Sequence, residues 1–163
     1  MGKIVSVEVQ KEAAEVIVNS ISELDGVEAE VVERTSGTNP RNVVVANSSP
    51  GSWRSLAEKL YSDHAVDYCS MITGIHWPEG DDDRKWEVVY HLLRTGVRDP
   101  PSADGVVQPI IVNPSTVRGI GTPVEVEIHV DLPDSRTPSI DSVQDIWIGA
   151  DWNEKETWDL VGI

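Results

Sequence analysis

The sequence predicts an α+β fold, a two-layer sandwich built on a mixed β-sheet. Two stretches repeat apolar residues at helical spacing, and five others show the alternation or short apolar runs that are typical of strands. Their order along the 163 residues is helix, two strands, helix and three strands, followed by two short C-terminal helices. Two helices cannot cover both faces of a five-stranded sheet, so we expect one covered face and a single domain over residues 1–163.

The first part of the chain predicts a helix followed by a β-hairpin. From Val9 to Leu24, apolar residues recur three and four positions apart, and Asp25-Gly26 ends this pattern. Val27 to Val31 alternates apolar and acidic side chains, which indicates a half-buried strand. A polar turn over Thr35 to Pro40 then leads into a more completely apolar strand from Asn42 to Ala46.

The middle of the chain predicts a second helix and a second hairpin. Ser52 is the predicted N-cap of the helix, because apolar residues follow it at helical spacing. Val66 to Trp77 carries apolar groups on both faces of an extended chain, as a central strand does, and Lys85 to Leu93 returns as its hairpin partner. Pro123 to Asp131 alternates strictly and predicts the last strand of the sheet.

An excursion interrupts this pattern from Thr95 to Thr122. Prolines and glycines break any long element there, although Val106 to Val112 is compatible with a short edge strand. Gly119-Ile120-Gly121 is not followed by a helix with a further glycine, which excludes a phosphate-binding loop.

The C-terminal segment, Thr137 to Ile163, combines tryptophans with charged residues. Ser139 is the predicted N-cap of a short helix with one apolar stripe, formed by Ile140, Val143, Ile146 and Trp147. Asp151 is the predicted N-cap of a second helix, with Glu154 completing a capping box. On that second helix we expect Lys155 to pair with Asp159, and aromatic and charged residues lie on all sides. Such a helix is typical of a contact between two bodies.

Composition excludes several classes of function. The net charge of −15 argues against nucleic acid and anionic lipid as partners, because both repel an acidic surface. No apolar run approaches the length of a membrane span, and the start of the chain lacks the apolar core of a signal peptide, so an intracellular, soluble protein is expected. Cys69 is the single cysteine and is expected to be buried and unreactive.

Catalytic and metal-binding patterns are weak. The four histidines, His64, His76, His91 and His129, lack ligand-like spacing, and Asp81-Asp82-Asp83 lacks the spacing of a calcium loop. Glu154 and Glu156 project in different directions on a helix, so we expect structural roles for them. One enzymatic alternative stays open. A small stand-alone α+β hydrolase or metal-dependent enzyme would use Asp67, His76 and His91 in a cleft, with His76 facing His91 across the hairpin.

Three stretches of the sequence resemble a known family. Residues 154–163 read Glu-Lys-Glu-Thr-Trp-Asp-Leu-Val-Gly-Ile, residues 68–75 read Tyr-Cys-Ser-Met-Ile-Thr-Gly-Ile, and residues 86–93 read Trp-Glu-Val-Val-Tyr-His-Leu-Leu. They are similar to Glu-Arg-Glu-Val-Tyr-Asp-Met-Phe-Gly-Ile, Tyr-Leu-Ser-Asp-Ile-Thr-Ala-Ile and Phe-Glu-Val-Val-Tyr-His-Leu-Leu in the C subunit of respiratory complex I, the 30 kDa subunit family. The resemblance covers Val66 to Ile163, outside the excursion.

The resemblance implies a non-catalytic subunit of a complex I-type translocase, with no active site and no cofactor of its own. Its electron donor would be NADH, reduced deazaflavin or ferredoxin, its acceptor a quinone, and a hydrogenase-type complex is a related possibility. Partners would be a D subunit homologue and iron–sulfur proteins of the peripheral arm. The protein would lie on the cytoplasmic side of the cell membrane, attached only through the complex. The implied docking residues are Trp147, Trp152, Glu154, Lys155, Glu156, Trp158 and Asp159.

Two departures from the family pattern stand out. Lys155 replaces the usual arginine, which keeps the charge but loses the planar fork that binds carboxylates bidentately. Family members usually continue past the position of Ile163 into a tail with a histidine and basic residues, so the chain is either a short member or a fragment.

Overall fold

The computed structural model describes residues 6–95 and 122–163. It contains three helices and five strands: α1 (Val7–Ile21), β1 (Val27–Ser36), β2 (Asn39–Ser48), α2 (Pro50–Ser62), β3 (Tyr68–His76), β4 (Trp86–Arg94), β5 (Val124–Leu132) and α3 (Ala150–Val161). The predicted α+β class and the order of the sheet elements are confirmed. The edge strand predicted over 106–112, and all of the excursion between Thr95 and Thr122, lie outside the described residues.

The sheet is mixed, in the order β1-β2-β5-β4-β3. The last strand, β5, lies between the two hairpins, parallel to β2 and antiparallel to β4. Ile128 of β5 lies opposite Ala46 on one side and Tyr90 on the other, so one face of the sheet carries a continuous row of buried apolar side chains. This central position of β5 joins the N-terminal and middle hairpins into one sheet.

All three helices cover the same face of the sheet. Residues from each of them belong to one buried cluster with the apolar side chains of the strands. Trp53 of α2 stacks on Tyr90 of β4 with ring centroids 3.9 Å apart, and α1 packs on β1 and β2. The opposite face carries ionisable side chains from β1, β4 and β5. The economical two-layer arrangement is therefore the one observed.

The start of α2 corrects the predicted cap. Ser49, not Ser52, is the N-cap: its Oγ accepts a hydrogen bond from the Ser52 backbone N–H at 3.2 Å. Pro50 occupies the first turn, where the missing N–H costs nothing. Ser52 instead donates its hydroxyl to the Asp25 carbonyl at 2.6 Å, which ties the helix start to the end of the preceding turn.

The strands also differ from the prediction in their ends and register. The turn predicted over Thr35 to Pro40 is mostly strand, because β1 continues to Ser36 and a two-residue loop with Gly37 at φ 63° leads into β2. In β3 an extra residue, Ser70, interrupts the pairing with β4. This bulge allows Cys69 and Ile72 both to be buried, although strict alternation places them on opposite faces.

The first of the two predicted C-terminal helices does not form. The chain from Ser139 to Gly149 is irregular apart from two turns, and in the first the Trp147 N–H donates to the Val143 carbonyl at 2.9 Å. The backbone N–H groups of Val143 and Gln144 donate to side chains instead of to a helical ladder. The predicted apolar stripe nevertheless points inward, because Val143 and Trp147 are both buried.

Candidate docking surface

A close contact with β3 fixes the position of α3. At Gly74 an added Cβ would lie 2.7 Å from Thr157 Cγ2 and 3.4 Å from Val161 Cγ2, so only glycine allows the helix this near the strand. Thr157 is buried at this contact, while the opposite side of α3 has no cover from the described residues. Gly162 ends the helix in the left-handed region at φ 86°, where its N–H donates to the Trp158 carbonyl at 2.9 Å.

The outer side of α3 exposes large apolar groups. Trp152 is 78% exposed, Trp158 65% and Leu160 76%. Interspersed with them are charged side chains, and we define the α3 surface as Trp152, Lys155, Glu156, Trp158, Asp159 and Leu160. Aromatic groups of this size that remain in water on an ordered helix are typical of an interaction site.

Lys155 forms a different ion pair from the one predicted. Its Nζ lies 2.8 Å from Asp151 Oδ2, on the preceding turn, and not on Asp159. The same Nζ lies 5.3 Å from the centre of the Trp152 ring, a cation–π contact. Asp151 is not the N-cap either, because Gly149 takes that position without a side-chain bond and Asp151 lies within the first turn. There its charge favours both the helix start and Lys155.

Glu154 binds its own chain and not the α3 surface. Its carboxylate accepts hydrogen bonds from Ser142 Oγ at 2.6 Å and from the Val143 backbone N–H at 2.8 Å. One carboxylate of the Glu154–Glu156 pair therefore holds a neighbouring backbone segment, as expected. Glu156 is exposed on α3.

Trp147 is the one predicted docking tryptophan that the structure places in the core. Only 2% of its surface is exposed, and its Nε1 donates to the Val66 carbonyl at 2.8 Å. Its ring lies 6.4 Å from those of Trp53 and Tyr61. The side chain belongs to the protein's own interior, because this cluster joins α2 to the irregular C-terminal segment.

The residues of the enzymatic alternative do not converge. Asp67 accepts from the Thr95 backbone N–H at 2.9 Å and from its hydroxyl at 2.7 Å, just before β3 begins. His76 lies at the other end of that nine-residue strand, stacked on Trp86 with ring centroids 4.0 Å apart. The predicted approach of His76 to His91 is wrong, since the register pairs His91 with Met71.

The ionisable network on the sheet face opposite the helices was missed by sequence reasoning. His129 Nδ1 lies 2.6 Å from Glu87 Oε1, and its Nε2 lies 2.9 Å from Glu127 Oε1. Arg34 donates two hydrogen bonds to Glu127, at 2.7 and 2.9 Å, and Trp77 Nε1 donates to Glu87. The signal was the spacing of Glu125, Glu127 and His129 on one face, but their partners come from other strands.

Electrostatics favour the charged forms of the groups in this network. The hydrogen bonds from Arg34 lower the pKa of Glu127 to about 2. Burial alone would lower the pKa of His129, but its bonds to Glu87 and Glu127 more than offset this, so the pKa is raised above the ordinary 6.5. Within residues 6–95 and 122–163, no group of three or more His, Cys, Asp or Glu is placed to hold a metal ion.

Two further expectations concern Cys69 and the membrane. Cys69 is buried, as expected, and burial raises its thiol pKa to about 11, which favours the unreactive thiol. None of the helices in the described part of the chain has the length and apolar character needed to cross a membrane.

Fold and surface together define a small α+β protein that presents an aromatic helix outward from one edge of its sheet. The family model of the respiratory-chain NADH dehydrogenase 30 kDa subunit matches residues 46–163. The chain therefore belongs to this family, and the sequence resemblance is confirmed.

Curated relatives agree with this membership. The C/D subunit of the NADH-quinone oxidoreductase of Bacteroides fragilis is 30% identical over 111 residues, which is 64% of this chain and 16% of that protein. The C subunit of the Acidothermus cellulolyticus enzyme is 29% identical over 112 residues, or 68% of this chain and 44% of its own length. The chain thus spans less than half the length of these relatives.

A solved structure with the same fold is the trypsin-resistant fragment (1-134) of Nqo5. The two chains superpose with a TM-score of 0.60 at 18% identity, and the match covers 93% of each. This similarity supports the two-layer architecture described above.

Proposed function

We propose that this chain is a non-catalytic subunit of the peripheral arm of a complex I-type, proton-translocating quinone oxidoreductase. In this proposal the α3 surface docks on a D subunit homologue. The observation that carries the proposal is the exposure of Trp152, Trp158 and Leu160 on a helix whose position is fixed by the core. Membership of the NADH dehydrogenase subunit family supports a role within a larger complex.

The choice of the D subunit has its own support. The name of the Bacteroides fragilis relative joins the C and D subunits, so in that protein both names belong to one polypeptide. A chain that contains both parts favours their being neighbours in related complexes. The docking segment proposed here, 137–163, lies within the region that the family model matches.

The chemistry of the α3 surface describes the partner it needs. Trp158 offers a large apolar group that requires a pocket, and interface tryptophans commonly contribute a large share of binding energy. Glu156 and Asp159 are both exposed and both acidic, so basic side chains around such a pocket would complement them. Lys155 is already paired with Asp151, which leaves the surface acidic overall.

The location and electron path follow from this assignment. The subunit would lie on the cytoplasmic side of the membrane and would attach to it only through the complex. Electrons from NADH, or from reduced deazaflavin or ferredoxin, would pass through neighbouring iron–sulfur proteins to a quinone. This chain would hold the arm together without binding a cofactor.

Affinity purification from the native host tests the proposal. Tagged protein is expected to retain a D subunit homologue, and Trp158→Ala is expected to retain much less. Val7→Ala is the control, because Val7 is also exposed but lies on α1, which packs on the opposite end of the sheet. Recovery of no such homologue, or equal losses in both variants, would contradict docking through α3.

A further inference from the structure

A second feature of the molecule is a cavity of about 400 Å³ beside α1. This volume lies within the range of sites for small organic ligands, about 300–1,000 Å³. None of its lining residues belongs to the α3 surface or to the network around His129 on the sheet face opposite the helices. They are Val9, Glu12, Ala13, Val16, Asp63, His64, Arg94 and Thr122.

Arg94 places a buried positive charge at this cavity. The residue is 3% exposed and lies at the end of β4. Its Nε donates to the Thr122 carbonyl at 2.7 Å and its Nη1 to the His64 carbonyl at 3.4 Å, while Nη2 has no hydrogen-bond partner among the described residues. Burial lowers the pKa of Arg94 and outweighs the attraction of Asp67, which acts without a direct ion pair. A buried guanidinium whose hydrogen bonds go to neutral carbonyls is costly.

Two more buried polar atoms around the same cavity have no partner within residues 6–95 and 122–163. They are His64 Nε2 and Thr122 Oγ1, both on buried residues. Burial lowers the pKa of His64, so at neutral pH the ring is uncharged and can donate or accept one hydrogen bond. Buried polar atoms are almost always satisfied, and three residues of one cavity lining that each carry an unsatisfied atom point to a missing polar group.

We propose that this cavity binds a small amphiphilic carboxylate. Its charged group would accept a hydrogen bond from Arg94 Nη2 and contact Thr122 and His64. Its apolar body would lie along the α1 residues Val9, Ala13 and Val16.

A single carboxylate suits the charges better than a phosphate does. One buried cation balances one negative charge, and a second charge would face the acidic residues of the lining. Those residues are Glu12, which is exposed to water, and Asp63, whose carboxylate lies 3.2 Å from Lys59 Nζ. The apolar side chains on α1 favour an aliphatic or aromatic body over a sugar.

Calorimetric titration of the full chain with hexanoate, hexanol and hexylamine tests this proposal. Hexanoate is expected to bind saturably, and the neutral and cationic analogues about ten-fold more weakly or not at all, because they cannot accept from the guanidinium with a charged group. Hexanoate should also shift the side-chain NMR signals of Arg94. Absence of saturable hexanoate binding, or equal binding of hexanol, overturns the proposal.

Two variants and one control locate the site. Arg94→Met is expected to weaken hexanoate binding about ten-fold or more, through loss of the charged donor. Ala13→Leu fills the apolar half of the cavity and keeps Arg94, so it should also weaken hexanoate binding. This variant tests whether hexanoate binds in the cavity even where Arg94→Met fails to fold. Ser55→Leu adds a leucine side chain at an exposed position near the start of α2, outside the lining, and should bind as wild type does. Unchanged binding in Ala13→Leu overturns the assignment of the cavity.

Discussion

Trp147 and Trp158 belong to one short C-terminal segment, yet their environments are opposite. Trp147 is enclosed by Trp53 and Tyr61 and bonded to the Val66 carbonyl, whereas about two thirds of Trp158 is exposed. Both were expected to dock a partner, because the family resemblance implied both as docking residues. The difference arises from tertiary contacts. Glu154 and the α2 helix hold the irregular segment against the core, which buries Trp147. Gly74 contacts the Thr157 side of α3, which leaves the opposite side with Trp158 exposed to solvent.

The sharpest test of this comparison is Trp147→Ala. Removing a buried tryptophan ring leaves a cavity, so the free energy of unfolding is expected to fall by about 3–5 kcal/mol. Urea denaturation followed by circular dichroism measures this loss. Assembly per folded molecule should stay unchanged. If Trp147→Ala weakens assembly and leaves the free energy of unfolding unchanged, Trp147 is a docking residue and not a core residue.

The reciprocal change is Trp158→Ala. We expect the free energy of unfolding to stay within about 0.5 kcal/mol of wild type, because the ring is largely in water. Binding to the D subunit homologue is expected to weaken by more than about 2 kcal/mol, as for a central interface aromatic. Titration of purified partner domains measures the affinity. If Trp158→Ala sharply lowers the melting temperature and binds the D subunit homologue as tightly as wild type, Trp158 is a core residue and not a docking residue.

A double-mutant cycle at the contact that orients α3 tests the cause of the difference. Gly74→Ala forces a methyl group toward Thr157 Cγ2, and such overpacking typically costs about 1–3 kcal/mol. Thr157→Ser removes that Cγ2 atom, so Gly74→Ala should lower the free energy of unfolding by less in the Thr157→Ser protein than in wild type. Denaturant unfolding of the four proteins gives the coupling energy. Additive penalties would show that Gly74 does not set the position of α3.

The smallest change in stability is expected for substitution of His129. This residue is half-buried, between the buried Trp147 and the exposed Trp158. Its folded pKa is raised, so its contribution to stability is fully present below the ordinary value of 6.5 and is lost as pH rises through the folded value. The destabilisation caused by His129→Gln should therefore be about 1 kcal/mol near pH 5.5 and smaller near pH 9. Equal destabilisation at both pH values would indicate that the hydrogen bonds of the His129 imidazolium to Glu87 and Glu127 contribute nothing to the free energy of unfolding.

The fold was largely predictable because periodicity reports burial. Patterns such as Val9 to Leu24 and Pro123 to Asp131 identified elements whose apolar faces meet in the core. The errors lie where side chains form hydrogen bonds to the backbone. Ser49 is the N-cap of α2 in place of the predicted Ser52. The Val143 N–H donates to Glu154, and the helix predicted from Ser139 does not form. The Ser70 bulge was also unpredictable, since one extra residue leaves no periodic signal.

The candidate sites were predictable to different degrees. The exposed part of α3 followed from the family resemblance, and it includes Trp152 and Trp158. Sequence alone did not separate them from Trp147, because burial depends on distant residues such as Trp53. The Arg94 cavity left no local signal at all, since its lining comes from separate parts of the chain.

The central place of β5 has a consequence for how the polypeptide acquires its structure. Val44 and Tyr90 both lie beside strand residues that are synthesised well after them, Val126 and Ile128. Until β5 has been synthesised, the inner edges of β2 and β4 therefore have no strand partner and cannot join in one sheet. Such late, long-range pairing slows folding and exposes strand edges to aggregation, so a nascent chain stalled before this strand is a natural client for chaperones.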